Sequence, residues 1–172
     1  MNNTEETGSK LRWLWLAVLV IVLDLGSKAV ATAMLTYGNP VPVMPLFNLT
    51  LLHNTGAAFS FLAGAAGWQR WFFVSLALVV SVVLVVWLKS LRRHETWSAI
   101  AIVLILGGAL GNVYDRVVHG YVVDFLHFYW NDYHFPAFNI ADTAITIGAA
   151  MMILDIFRKP REPDADNRSD NR

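Results

Sequence analysis

Two uninterrupted stretches of the chain, residues 71–88 and 97–114, each run for 18 residues without a charged side chain. A helix needs about 20 apolar residues to cross roughly 30 Å of hydrocarbon at about 1.5 Å per residue, so each stretch is long enough to span a bilayer. Composition agrees, because 56% of the residues are hydrophobic and only 15% are charged, whereas soluble domains have about 25% charged residues. We therefore expect an integral membrane protein.

Two further stretches have the right length but carry charges. Residues 13–35 contain Asp24 and Lys28, and residues 135–154 contain Asp142. The expected fold is an all-α membrane protein, a four-transmembrane-helix bundle with spans at about 13–35, 70–88, 97–117 and 136–157. We expect one integral membrane domain, residues 1–159. Residues 160–172 are polar, charged and proline-containing, which predicts a disordered cytoplasmic tail because such a segment has too little apolar surface to fold.

The positions of lysine and arginine predict the orientation, since positively charged connections stay in the cytoplasm. Ten of the 13 basic residues lie before the first span, after the second or after the fourth, namely Lys10, Arg12, Lys89, Arg92, Arg93, Arg158, Lys159, Arg161, Arg168 and Arg172. The connection 36–67 contains no charged residue, and the connection 119–134 contains no lysine or arginine. Both termini are thus predicted to be cytoplasmic, with these two connections outside.

The two outer connections have patterns of their own. Apolar and polar residues alternate over 47–51, and 41–45 is typical of extended chain, so a small β element is expected there. The second connection holds many rings: Tyr121, Phe125, Phe128, Tyr129, Trp130 and Tyr133. Such side chains favour the headgroup layer, which predicts an aromatic-rich loop on the outer face.

Placing a charged side chain inside a span costs about 2.5 kcal/mol or more, so such a residue usually has a structural or functional role. Asp24 and Lys28 are four residues apart and share a helix face, so a structural ion pair is the simpler interpretation. Asp115 and Arg116, at the outer end of the third span, equally allow a structural role.

Asp124 and Asp142 differ, because each lies in a hydrophobic segment with no basic residue nearby in sequence. Two carboxylates in a partly dry site cannot both ionise, so one keeps a proton while the other can abstract one from water. That is the chemistry of an aspartyl peptidase. On the residues alone, a functional and a structural role are evenly balanced for this pair.

Other chemistries have little support. There is no cysteine, and the histidines at 53, 119, 127 and 134 do not form a His-Glu-x-x-His motif, so no metal site is expected. Zero net charge argues against nucleic acid as a partner. Two alternatives stay open: a proton-coupled transporter that uses the intramembrane carboxylates, and a non-catalytic scaffold that assembles through small residues of the third span.

Five blocks in order resemble the lipoprotein signal peptidases, also called type II signal peptidases, over nearly the whole chain. They are Asp24 with Lys28, residues 54–60 (NTGAAFS), residues 107–116 (GGALGNVYDR), residues 122–125 (VVDF) and residues 138–142 (FNIAD). Each block alone is weak evidence, but the combination is specific. One position departs from the family, which often has glutamine where this chain has Leu25.

The resemblance implies roles for individual residues. Asp124 and Asp142 correspond to the catalytic dyad. Seven residues correspond to positions that shape the site or hold substrate: Asn54, Gly56, Gly108, Asn112, Arg116, Asn139 and Ala141. Asp24, Lys28 and Asp115 correspond to structural charges.

The resemblance also implies the reaction. Family members cleave a bacterial prolipoprotein just before a cysteine that already carries diacylglycerol, which releases the signal peptide. It implies an aspartic endopeptidase in the bacterial inner membrane, with its site near the periplasmic face. The expected partners are diacylglyceryl-modified prolipoproteins and membrane lipid, without a cofactor or an obligate protein partner.

Overall fold

A computed structural model describes residues 10–56, 67–92 and 94–158 of the chain. The tail at 160–172, expected to be disordered, lies outside these residues. The described part contains four long helices: α1 (Leu14–Met34, preceded by a 3-10 turn at Lys10–Trp13), α2 (Trp68–Ser90), α3 (Thr96–Val118) and α4 (Ile140–Arg158). All four are long and apolar enough to cross a membrane. The prediction of a four-helix membrane fold is confirmed.

Helix α3 is the centre of the bundle and packs against each of the other three helices. Glycines permit the close approach of neighbours. A Cβ on Gly107 would lie 2.8 Å from the carbonyl oxygen of Ala17 on α1, and one on Gly148 of α4 would lie 2.6 Å from the carbonyl oxygen of Ala101 on α3. The apolar core, which includes Leu88, Ile102 and Val103, lies towards the end of the bundle opposite the sheet described next.

The small β element is an antiparallel sheet of four strands in the described chain: β1 (Val41–Met44), β2 (Phe47–Asn54), β3 (Val122–Trp130) and β4 (Tyr133–His134), in the order β1-β2-β3-β4. It joins both connections at one end of the bundle. The element is larger than expected, because the aromatic-rich segment forms β3 and β4 rather than a loop. Aromatic residues favour strands when they find cross-strand partners, as Phe128 does in Phe47, with ring centroids 4.8 Å apart.

Helix α4 begins at Ile140, four residues after the predicted start at 136. The preceding residues belong to the sheet end instead. Phe138 N–H donates to Leu126 O at 3.0 Å, and Leu126 N–H donates to Phe138 O at 2.9 Å. Asn139 then caps the helix, because its Oδ1 accepts the backbone N–H of Asp142 at 2.9 Å. The apolar character of 135–139 thus reflects pairing with β3 and not an extra helical turn.

Candidate active site

Asp124 lies on β3 and is only 2% exposed. Each of its carboxylate oxygens accepts a hydrogen bond from an amide side chain. Asn139 Nδ2 donates to Oδ1 at 2.7 Å, and Asn54 Nδ2 donates to Oδ2 at 3.1 Å. Asn54 reaches this position because β2 pairs with β3, with Leu52 opposite Asp124. The carboxylate is therefore held in a single orientation.

Asp142 lies in the first turn of α4 and is half-buried. Its Oδ1 accepts a hydrogen bond of 2.8 Å from Asn112 Nδ2 on α3, and its backbone N–H donates to Asn139 Oδ1. Asn139 thus contacts both aspartates, since its amide nitrogen binds Asp124 and its oxygen binds the backbone of Asp142. A single buried side chain sets the position of one carboxyl group relative to the other.

Both aspartates line one cavity of about 510 Å³ at the sheet end of the bundle. Burial, followed by the nearby negative charge of Asp142, raises the pKa of Asp124 from 3.8 to about 7. Hydrogen bonds from Asn54 and Asn139 oppose this shift, because they stabilise the ionised form. A carboxyl group with a pKa near 7 can give or accept a proton at neutral pH.

Arg116 adds a positive charge to the wall of this cavity. Its guanidinium donates to Gly56 O at 3.0 Å, and its Cζ lies 5.2 Å from the ring centroid of Phe73 on α2. Gly56 N–H in turn donates to Asn54 Oδ1 at 3.0 Å, which closes a turn directly after β2. Arg116 and Asn54 therefore hold the end of this connection against the site.

The charges expected to be structural form a buried network beside the cavity without lining it. Lys28 Nζ lies 2.7 Å from Asp24 Oδ2 and 2.9 Å from Asp115 Oδ2. Asp24 Oδ1 accepts the N–H of Ala141 at 2.9 Å, and Asp115 Oδ2 also accepts the N–H of Val123 at 3.0 Å. The network joins α1, α3, α4 and β3.

Lys28 also reaches the site indirectly. Its ammonium group donates to Asn112 Oδ1 at 3.0 Å. Because lysine has donors only, Asn112 must present its oxygen to Lys28 and its NH₂ group to Asp142. The structural network thereby fixes which end of this amide faces the carboxylate.

Gly108 and Ala141 shape the site through backbone contact and do not line the cavity. A Cβ on Gly108 would collide with the carbonyl oxygen of Ala141 and would lie 2.8 Å from Ile145 Cγ1. The absence of a side chain at Gly108 lets α4 approach α3 where Asp142 meets Asn112. The sites predicted at Asn54, Asn112, Arg116, Asp124 and Asp142 all line the cavity.

Sequence reasoning missed an aromatic rim. Tyr37 and His53 line the cavity with ring centroids 4.8 Å apart, and His53 stacks on Tyr121 at 3.9 Å. Phe135 and Phe138, assigned in advance to the fourth span, line another side. Pro136 between them was the available signal, since proline disfavours helix at the residue before it.

Among residues 10–56, 67–92 and 94–158, no three histidine, aspartate or glutamate side chains are arranged to hold a metal ion. The donors around the two carboxylates are amide groups and a guanidinium. These hydrogen-bond donors can orient two carboxyl groups for acid–base chemistry.

Comparisons with known proteins agree on one family. A sequence model described as Signal peptidase (SPase) II matches residues 16–158. The chain is 58% identical over 153 residues to the lipoprotein signal peptidase of Vibrio campbellii, covering 88% of this chain and 91% of that protein. It is 58% identical over 158 residues to that of Pseudomonas aeruginosa strain UCBPP-PA14, covering 91% and 94%.

Solved structures support the same comparison. A bacterial membrane enzyme determined by the in meso method at 2.3 Å superposes with a TM-score of 0.76 at 30% identity, covering all of this chain and 98% of the other. A second, at 1.9 Å, gives 0.75 at 31% identity, covering 93% and 99%. The similarity in sequence and in fold extends over the whole bundle and its sheet.

Proposed function

This multi-pass membrane chain belongs to the signal peptidase II family, and from that premise we propose that it is an aspartic endopeptidase whose catalytic residues are Asp124 and Asp142. Its substrates are prolipoproteins, which it cleaves before the diacylglyceryl-modified cysteine to remove the signal peptide. The observation that carries the proposal is the pair of carboxyl groups in one cavity, held together by Asn139.

The proposed chemistry uses one proton shared by the pair. Asp124 is the more deeply buried of the two aspartates, so burial favours it as the carboxyl that carries this proton. Asp142, ionised, accepts a proton from water as the water oxygen attacks the scissile carbonyl carbon. Asp124 donates its proton to the carbonyl oxygen, which gives a gem-diol intermediate. As the C–N bond breaks, Asp142 passes the proton taken from water to the departing amine nitrogen, and Asp124 regains a proton from a gem-diol hydroxyl as the C=O bond re-forms. No metal or cofactor takes part in these steps.

Several side chains serve substrate binding in this proposal. Asn54, Asn112 and Arg116 present N–H donors around the cavity, and donors of this kind can hold an extended peptide backbone and a developing oxyanion. Gly56, Gly108, Asn139 and Ala141 keep the surrounding backbone in place. Asp24, Lys28 and Asp115 serve as structural charges.

We propose the bacterial inner membrane as the location, with both termini in the cytoplasm and the cavity at the periplasmic face. The helices alternate in direction, so the sheet lies at the end where the connections 36–67 and 119–134 carry no lysine or arginine. A site at that edge can receive a substrate whose signal helix and acyl chains are both in the bilayer. Membrane lipid and the prolipoprotein suffice as partners.

The proposal is tested by cleavage of a diacylglyceryl-modified prolipoprotein in proteoliposomes. Asp124→Asn and Asp142→Asn should each lower kcat/KM by about 10²–10⁴-fold, the usual contribution of general acid–base catalysis. Asp132→Asn is the matched control, since Asp132 is exposed in the turn between β3 and β4 and does not line the cavity. Thermal unfolding of each variant establishes that it is folded.

Two results would overturn the proposal. Full activity in folded Asp124→Asn or Asp142→Asn would exclude this pair as the catalytic dyad. Equal cleavage of modified and unmodified prolipoprotein would be consistent with an aspartic peptidase. It would exclude the proposed specificity for the diacylglyceryl group.

A further inference from the structure

A second cavity of about 510 Å³ lies between the sheet end of α1 and the sheet, and we call it the α1–sheet groove. Its walls are almost entirely apolar and include Gly26, Val30, Met34, Val41, Leu49 and Phe125. It shares no lining residue with the cavity that contains the two aspartates. Asp124 and Phe125 are neighbours on β3, and because strand side chains alternate, they serve opposite faces of that strand.

Gly26 is the unusual residue of this groove. The described helices contain five glycines, and at four of them a Cβ would collide with a neighbouring element. A Cβ on Gly26 would meet no described atom within 4 Å. Glycine in a helix costs about 1 kcal/mol relative to alanine, and here no packing against the protein compensates. The open space in front of Gly26 is thus available to another molecule.

The groove offers no polar group that needs a partner. Ser27, its one hydroxyl residue, donates to Asp24 O on its own helix at 2.9 Å. The groove also occupies the last third of the span Lys10–Met34, so its surroundings are the acyl chains of the leaflet at the sheet end. Both observations favour an apolar, chain-like occupant over a polar headgroup.

We propose that the α1–sheet groove binds one acyl chain of a membrane phospholipid. A chain on a plain helix surface touches protein on one side, whereas here it contacts α1 on one side and strands on the other, which increases the dispersion contacts. The occupied groove supports the back of β3 at Phe125, directly beside Asp124. The α1–sheet groove is separate from the cavity that contains the two aspartates. The proposal of a lipid site therefore does not depend on the reaction at the dyad.

The test is photo-cross-linking of the full chain in phosphatidylglycerol vesicles that contain a phosphatidylglycerol with a diazirine on its acyl chain. Val30 lines the groove and is 57% exposed, whereas Leu76 on α2 is 49% exposed outside it. Labelling at Val30 should exceed labelling at Leu76 several-fold. Gly26→Leu, which fills the groove, should remove this excess. Ala29→Leu places the same side chain on α1 outside the groove and should leave the excess unchanged.

Three outcomes would overturn the proposal. Equal labelling of Val30 and Leu76 would mean ordinary contact with bulk lipid. An excess that survives Gly26→Leu would place the chain elsewhere. Displacement of the label by a diacylglyceryl-modified peptide, but not by added unlabelled phosphatidylglycerol, would assign the groove to the substrate's own acyl chains.

Discussion

Asn139 and Asp124 are joined by a hydrogen bond of 2.7 Å, while the other end of the same Asn139 side chain caps the helix that carries Asp142. One residue therefore has two separable tasks. Its oxygen stabilises the start of α4, and its nitrogen holds a carboxyl group of the proposed dyad.

Asn139→Ala should lose both tasks. Removal of a cap costs about 1 kcal/mol of unfolding free energy, and loss of the donor frees Asp124 from its fixed orientation, so kcat should fall sharply. Asn139→Ser keeps an oxygen that can cap the helix but has no NH₂ group to reach Asp124. Its thermal stability should return towards wild type while kcat stays low. Recovery of both quantities in Asn139→Ser would contradict the role assigned to the amide nitrogen.

The raised pKa of Asp124 predicts how stability depends on pH. Between its ordinary pKa of 3.8 and its native pKa of about 7, the native state binds more protons at this group than the unfolded state. Stability should therefore fall as pH rises through this range and become constant above it. The contribution is on the order of 4 kcal/mol.

Thermal unfolding in detergent between pH 5 and pH 8 measures this effect. Asp124→Asn removes the titrating group, so its unfolding temperature should fall less over that range and exceed that of wild type at pH 8. In the proposed mechanism, kcat/KM of wild type should also decline above pH 7, because the shared proton is lost. Parallel pH profiles of unfolding temperature for wild type and Asp124→Asn would contradict the assignment.

The helices were predictable because hydrocarbon thickness dictates the length of an apolar run, and this constraint acts within each segment. The sheet was only partly predictable. Pairing of β2 with β3 joins residues about 70 positions apart, such as Leu52 and Asp124, and no local pattern specifies such a partner. The aromatic residues of β3 are equally compatible with a loop in the headgroup layer.

Within the site, the two aspartates stood out in the sequence because charge in apolar surroundings is costly. The role of Asn139 was harder to predict, although an asparagine three residues before Asp142 is a typical N-cap position. The aromatic rim of Tyr37 and His53 had no signal in the chain, because strand pairing and the path of the chain after α1 bring these rings together.

Lys28→Met should strongly destabilise the protein. The substitution leaves Asp24 and Asp115, which are 0% and 1% exposed, without their shared cation, and breaking a buried ion pair from one side costs about 3–5 kcal/mol. Arg12→Met removes a positive charge from an exposed position and should change stability by about 0.5 kcal/mol or less. Similar unfolding temperatures for the two variants would show that the buried network does not stabilise the fold.

Gly108→Ala should separate α3 from α4, because its new methyl group would meet the carbonyl oxygen of Ala141. The displacement breaks the contact of Asn112 with Asp142, so activity should fall together with thermal stability. Gly26→Ala is the matched control, since the methyl group enters open space and should stabilise the helix by up to about 1 kcal/mol. A Gly108→Ala variant with wild-type activity would mean that this close approach is not required.

His127 and His134 make the last hairpin of the sheet sensitive to acid. Their rings stack with centroids 5.1 Å apart, and His127 Nε2 lies 3.2 Å from His134 Nδ1. Burial, followed by the charge of His134, lowers the pKa of His127. The stability that neutral His127 contributes is present above its ordinary pKa of 6.5 and is lost as pH falls through the lowered native value.

Acidification to pH 5 should therefore loosen the pairing of β3 with β4, because the charge of His134 opposes protonation of His127. Hydrogen–deuterium exchange, corrected for the intrinsic effect of pH, should show faster exchange at Phe135, whose N–H donates to Phe128 O at 2.9 Å. His134→Gln removes the charge that opposes protonation of His127 and should reduce the change. Since Phe135 also lines the cavity of the proposed dyad, the same acid step should raise KM for the prolipoprotein in wild type and less in His134→Gln. Exchange at Phe135 that is equal at both pH values would rule out this coupling.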